Sequence, residues 1–101
     1  MAFFGGGEKV QVVAEIHART GCKEAVRAML TALVVPSRKE NGCKQYHLHE
    51  DTKNPGSFDT CEEWASEALL EEHLGRAKQT LEQAEPLLDG DLKLVVLKLL
   101  V

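Results

Sequence analysis

The chain has 101 residues, 44% of them hydrophobic and 28% charged, with 12 Lys and Arg against 16 Asp and Glu and a net charge of −4. These values exclude collagen, a coiled coil and bulk disorder, and they leave room for one domain with one core. No apolar run approaches the roughly 18 residues of a membrane span, and no Lys/Arg cluster stands beside aromatic residues, so neither a membrane nor a nucleic acid is expected as partner.

Residues 1–8 open with Phe3-Phe4-Gly5-Gly6-Gly7, which is too short in apolar residues for a signal peptide. They read as a flexible leader to a single domain over residues 9–101. Lys9 to Ala18 alternates, with Val10, Val12, Ala14 and Ile16 on one face, and its β-branched content favours a first strand. Thr20-Gly21 breaks it. Cys22 to Val35 has helical spacing, with Val26, Met29, Leu30, Leu33 and Val34 on one stripe. Pro36 either ends this helix or kinks it on toward Glu40, and Asn41-Gly42 stops it.

Cys43 to Glu50 reads as a second strand, with Tyr46 and Leu48 on one face and Cys43, Gln45, His47 and His49 on the other. Asp51 to Gly56 is a turn by composition. Ser57 to Trp64 is a third strand, forming a hairpin with the second, and puts Phe58, Thr60, Glu62 and Trp64 on one face. Ser66 caps a helix carrying Leu69, Leu70 and His73. Gly75 is expected to interrupt it before a second piece with Ala77, Leu81, Ala84 and Leu88, ended by Pro86 and Asp89-Gly90. Asp91 to Val101 is a fourth strand, apolar on both sides and so expected to be covered on both.

The order strand, helix, strand, strand, helix, strand is the ferredoxin-like βαββαβ arrangement. It is an α+β fold with both helices on one face of a four-stranded antiparallel sheet. The opposite face then needs a cover, and a second copy packed sheet against sheet is the economical one. Three cysteines, Cys22, Cys43 and Cys61, are widely spaced with no Cys-x-x-Cys pair. That argues against disulfides and structural zinc and for a reduced, cytoplasmic protein.

Several segments together resemble the antibiotic biosynthesis monooxygenase domain family. They are Val12-Val13-Ala14-Glu15-Ile16, the run Pro36 to Cys43, Tyr46-His47-Leu48-His49-Glu50-Asp51, Asn54-Pro55-Gly56-Ser57-Phe58, Glu62-Glu63-Trp64 and His73-Leu74. The chain differs from the family's usual pattern at Cys61, where an aromatic residue is common, and over Gly75 to Gln79, where many members have a second His. The resemblance implies a homodimeric α+β barrel with a pocket in each subunit between sheet and helices. It implies oxygenation of a small phenolic or quinol-type substrate by O₂ without metal, flavin or other cofactor. It also leaves open a non-catalytic small-ligand-binding dimer, an isomerase or a haem-degrading enzyme, although the first strand lacks the Asn that haem-degrading relatives use.

Oxygenation without a cofactor needs a base to make an electron-rich anion, an apolar pocket and a donor for developing charge. Histidine is the natural base. His73 is the candidate, with Trp64 and Glu62 beside it as the other catalytic positions; the alternatives are a His satisfied by a carboxylate, a core Trp, and a Glu62 salt bridge to Arg38 or Lys44. Substrate-binding positions are Tyr46, His47, His49, Phe58, Met29 and Leu33. His47 and His49 share one strand face with His17 near. The spacing supplies no sharp third ligand, so no metal is expected and a wet or dimer-facing pair is the plainer reading.

Overall fold

Alternating burial in Val10–His17 makes the first strand, β1, and sends Val10, Val12, Ala14 and Ile16 into the core. The structure is a computed structural model and describes residues 8–101, so the expected leader, apart from Glu8, lies outside the described residues. Helix α1 spans Lys23–Arg38 and runs through Pro36. Of the two courses the sequence leaves open, the helix takes the longer. Pro36 and Ala32, whose carbonyl loses its usual donor, are both exposed, so water can serve that carbonyl.

Strands β2 (Cys43–Glu50) and β3 (Ser57–Trp64) form the expected antiparallel hairpin. Helix α2 spans Glu67–Ala84, with the Ser66 hydroxyl accepting the Leu69 N–H at 3.2 Å as N-cap. Gly75 does not interrupt it. The roughly 1 kcal/mol that glycine costs inside a helix is outweighed by burial of Leu70, His73, Ala77 and Ala84 on either side. A 3-10 turn over Glu85–Leu87 holds Pro86, and β4 covers only Lys93–Leu97, shorter than the expected Asp91 to Val101.

The sheet order is β2-β3-β1-β4, antiparallel throughout, with the two helices packed on one face: a ferredoxin-like α+β fold. The core has two parts on that face. One gathers Ala14, Ile16, Val26, Leu30, Phe58 and Leu88; the other gathers Val10, Val12, Tyr46, Trp64 and Leu70. The expected cover on both sides of the fourth strand is absent in the single chain. β4 is an edge strand, and Leu94, Val96 and Leu97 remain substantially exposed, as do Leu99 and Leu100 beyond it. Among the described residues no helix is long and apolar enough to cross a membrane.

One bulge changes which residues face the core. The β2–β3 register slips between Cys43 and Gln45, so Lys44 has no partner on β3. Strict alternation puts Cys43 on the face opposite Tyr46. The extra residue brings both to the same side, where Cys43 packs against the Trp64 part of the core and Tyr46 lies opposite Glu62.

The turn before β2 is equally specific. Gly42 has φ +86°, its carbonyl accepts the Ala65 N–H at 2.8 Å, and a Cβ there would overlap the Leu69 side chain. Gly42→Ala should therefore destabilise by about 2 kcal/mol or more, from the left-handed backbone penalty plus the clash. A urea melt with an unchanged midpoint would contradict this.

At the other end of the sheet Arg27 pairs with Glu24 and with Glu50, the latter at 2.6 Å, and lies 5.7 Å from the Phe58 ring. Arg27 holds both carboxyls below the usual Glu range, and the Gly56 N–H adds to this for Glu50. A carboxyl with a lowered folded pKa binds its proton less readily folded than unfolded. Its contribution is thus present above the ordinary Glu range and lost as pH falls through the folded value. Arg27→Met should flatten the acid limb of the stability–pH curve; an unaltered limb would show that this cluster does not set it.

Candidate functional site

The site grows from the period-two pattern of β3. Thr60, Glu62 and Trp64 follow one another on the helix-facing side, and all are buried. Glu62 is only 5% exposed. Its Oε2 accepts the Thr60 hydroxyl at 2.7 Å and its Oε1 accepts the Trp64 indole N–H at 2.9 Å. The Thr60 oxygen in turn accepts the Ala14 N–H at 3.3 Å, tying the carboxylate to β1. The Glu62 carboxylate is thus held by donors on its own strand, rather than by Arg38 or Lys44. Arg38 instead donates to the Tyr46 carbonyl at 2.9 Å.

Helix α2 lays His73 over this group, and the imidazole is 3% exposed. It stacks on Trp64 with ring centres 4.5 Å apart and meets the Tyr46 ring edge-on at 5.5 Å. Its Nδ1 lies 3.0 Å from Glu40 Oε1, just beyond the end of α1, and its Nε2 lies 3.9 Å from Glu62 Oε1. With Nδ1–H donating to Glu40, Nε2 carries a lone pair, and the distance to Glu62 is too long for a hydrogen bond. Glu40 also receives Arg76 at 3.2 Å.

These side chains border a cavity of about 60 Å³ between sheet and helices. Glu62, His73, Tyr46 and Thr60 supply its polar wall; Ala14, Ile16, Leu30, Leu33, Leu74, Ala77, Leu81, Leu92 and Leu94 supply the rest. Leu74, Leu81 and Leu92 also line an open groove of about 400 Å³ beside α2, so they form the partition between cavity and surface. Burial, followed by the charge of Glu62, pushes the Tyr46 phenol far up; a hydrogen bond with Ser37 opposes this. Tyr46 thus stays a neutral donor at physiological pH. The Cys43 thiol is also pushed up, by burial and then by Glu40 and Glu62, and so is a poor nucleophile.

The structure brings four of the nine sequence-selected positions to the cavity wall: Glu62, His73, Tyr46 and Leu33. Trp64 sits behind His73, fully buried, and touches the site through its stacked ring and its N–H. Phe58 enters the apolar core instead, and half-buried Met29 is not part of the wall. His47 and His49 are exposed, with rings 6.3 Å apart, on the sheet face away from Tyr46 and the cavity. The alternation of β2 already separates them from Tyr46. Among the described residues no group of three or more His, Cys, Asp or Glu is arranged to hold a metal ion. Glu40, Thr60 and Ser37 were not singled out by sequence. The inward face of β3 pointed to Thr60, but nothing local signals a contact between Glu40 and a residue 33 positions away.

The family profile described as Antibiotic biosynthesis monooxygenase matches residues 10–80. A Mycobacterium tuberculosis protein named "Putative monooxygenase Rv0793" is 36% identical over 66 residues, which are 65% of this chain and 64% of that protein. The chain thus spans just under two thirds of that curated relative in the sequence match. The solved structure of the same relative superposes with a TM-score of 0.87 at 31% identity, covering 93% of this chain and 97% of that one. PA3566 from Pseudomonas aeruginosa superposes with a TM-score of 0.86 at 33% identity, covering 99% and 100%.

Proposed function

The chain belongs to the antibiotic biosynthesis monooxygenase family, and from that premise we propose that it oxygenates a small phenolic or quinol-type substrate with O₂, without a cofactor, in the cavity beneath α2. The observation that carries this reading is a buried His73 at the wall of a largely apolar cavity, with Nδ1 3.0 Å from Glu40 and Nε2 on the side of Glu62.

Nε2 takes the phenolic proton, and the resulting phenolate reduces O₂ by one electron. The radical pair combines at a ring carbon that bears hydrogen, and a proton returned through His73 turns the peroxide so formed into a hydroperoxide. Loss of that hydrogen as a proton then breaks the O–O bond, leaving a carbonyl on the ring and releasing water. One oxygen atom enters the substrate, the other becomes water, and the substrate supplies all four electrons. The neutral Tyr46 phenol borders the cavity, and its hydroxyl, which shares a hydrogen bond with Ser37, is the candidate donor to developing oxyanion charge. Glu62, fixed by Thr60 and Trp64, sits where positive charge develops on His73.

A cavity of about 60 Å³ is smaller than a phenol requires. Substrate entry therefore displaces Leu81 and Leu92, the shared partition, and uses the space of the outer groove. The test is oxygen uptake by the purified protein with a panel of phenols, naphthols and quinols, read together with incorporation of one atom from labelled O₂. Catalytic uptake with single-atom labelling supports the reading. Saturable binding of the same compounds without uptake would replace it with a small-ligand-binding protein.

The working unit in this reading is a cytoplasmic homodimer. The bare edge strand supports it, because Leu94, Val96, Leu97, Leu99 and Leu100 form an exposed apolar run that a second copy can cover. Size-exclusion with light scattering should give about twice 11.1 kDa; a monomer at micromolar concentration would remove this part of the proposal.

A further inference from the structure

We propose that Glu40 is a positioning residue for His73, and that the Glu40–His73 pair carries protons between the cavity and solvent. The inference rests on the reading of His73 as base and deepens it.

The cavity beneath α2 is one of two spaces that His73 borders. A separate cleft of about 200 Å³ between α1 and α2 is walled by Leu33, Pro36, Ser37, Glu40, Arg76 and Ala77, with His73 at its base. Cavity and cleft share only Leu33, His73 and Ala77. Of these three, only the imidazole can accept a proton on one side and release one on the other. Its two nitrogens divide accordingly. Nε2 is on the Glu62 side, and Nδ1 meets Glu40 at 3.0 Å on the cleft side.

The surroundings favour this orientation. The charged and titratable groups around the ring are Glu62 on β3, Tyr46 on β2, Glu40 beyond α1 and, through Glu40, Arg76 of α2. Two carboxylates compete for the one N–H of a neutral imidazole. Glu62 is already occupied by the Thr60 hydroxyl and the Trp64 N–H. Glu40 Oε1 shares its other contact with the half-exposed Arg76 and lies 0.9 Å nearer, within hydrogen-bond reach, so it takes the N–H and leaves the cavity-facing nitrogen as base. Once Nε2 has accepted the substrate proton, the Nδ1 proton can pass to Glu40 and on to water in the cleft. The Arg76 side chain, 49% exposed, marks where that water begins. The same route returns a proton to the peroxide, so protons only move through the pair and none is gained or lost.

The test uses Glu40→Ala and the isosteric Glu40→Gln in the full chain. Nitrogen-15 NMR of the resting protein reads the His73 tautomer without any substrate. Wild type should show the Nδ1–H form. Glu40→Ala should shift toward Nε2–H directed at Glu62. Turnover should fall by about 10²-fold or more, the scale for an acid–base group in the wrong tautomer. Formate, small enough for the cleft, should restore part of both the tautomer and the rate. Glu40→Gln keeps the shape but cannot take the proton, so it should lose rate without regaining it in formate. An unchanged tautomer in Glu40→Ala overturns the proposal. So does wild-type turnover in Glu40→Ala while His73→Ala is inactive, an outcome that leaves the base assignment standing. If His73→Ala keeps full turnover, the base assignment itself fails and the relay fails with it.

Discussion

His73→Ala should lower turnover of a phenolic substrate by about 10²-fold or more, the usual scale for losing a general base. Within the proposed mechanism the proton must leave before O₂ can be reduced, and Nε2 of His73 is the cavity-facing lone pair placed to take it. Glu62 lies on the same wall, but its oxygens are engaged by Thr60 and Trp64, and Tyr46 is held neutral by burial. Neither is a ready substitute. The alanine variant also loses the ring stacked on Trp64 and leaves a hole, which should cost about 2 kcal/mol or more of stability. Circular dichroism at the assay temperature separates this from lost chemistry. His73→Gln, closer in volume, should be equally slow. Full oxygen uptake by either folded variant would remove His73 from the mechanism.

Most of the fold was legible because one physical signal dominates each element. β1 and β3 alternate without a break, so the period of two gave their faces and set Glu62 beside Thr60 and Trp64. Where the sequence reading missed, a non-local term prevailed. The β2 bulge moved Cys43 to the Tyr46 side, and nothing in the residues 43–45 announces a bulge, since it is fixed by the pairing with β3. Gly75 looked like a break because glycine weakens isolated helices, yet packing on both sides carried α2 through. The apolar run Leu94 to Leu100 is a different matter: its expected cover includes a second copy, and in one chain it lies bare at the sheet edge.

The site divides along the same line. The closeness of Trp64 and His73 followed from a short link between hairpin and helix, and Glu62 shared the face of Trp64 by alternation. The Glu40 contact joins the end of α1 to the body of α2, 33 residues apart, and depends on α1 running past Pro36, a point that the sequence left undecided. A helix ending at residue 35 gives no reason to place Glu40 against the imidazole. The proline therefore conceals the residue that orients the candidate base.

Glu62→Leu should destabilise the protein by about 3 kcal/mol, although it replaces a buried charge with an apolar side chain. Exchanging buried ionic groups for hydrophobic ones is often neutral when every partner is exchanged together. Here the partners remain. The Thr60 hydroxyl and the Trp64 indole N–H both lie in the core and both direct their protons at this carboxylate, at 2.7 and 2.9 Å. Each orphaned donor costs about 1–3 kcal/mol, and the relief from no longer desolvating a carboxylate offsets only part of that. Glu62→Gln keeps one acceptor oxygen but turns an amide N–H toward a donor, so it should fall between wild type and Glu62→Leu. The donor argument has its own check. Adding Thr60→Val to Glu62→Leu removes one orphaned proton, so the second substitution should cost less in the Glu62→Leu background than alone, by about 1 kcal/mol. Urea unfolding with a constant slope gives all four values. A Glu62→Leu protein as stable as wild type would show that the orphaned donors cost no more than the desolvated carboxylate does, and would overturn this account.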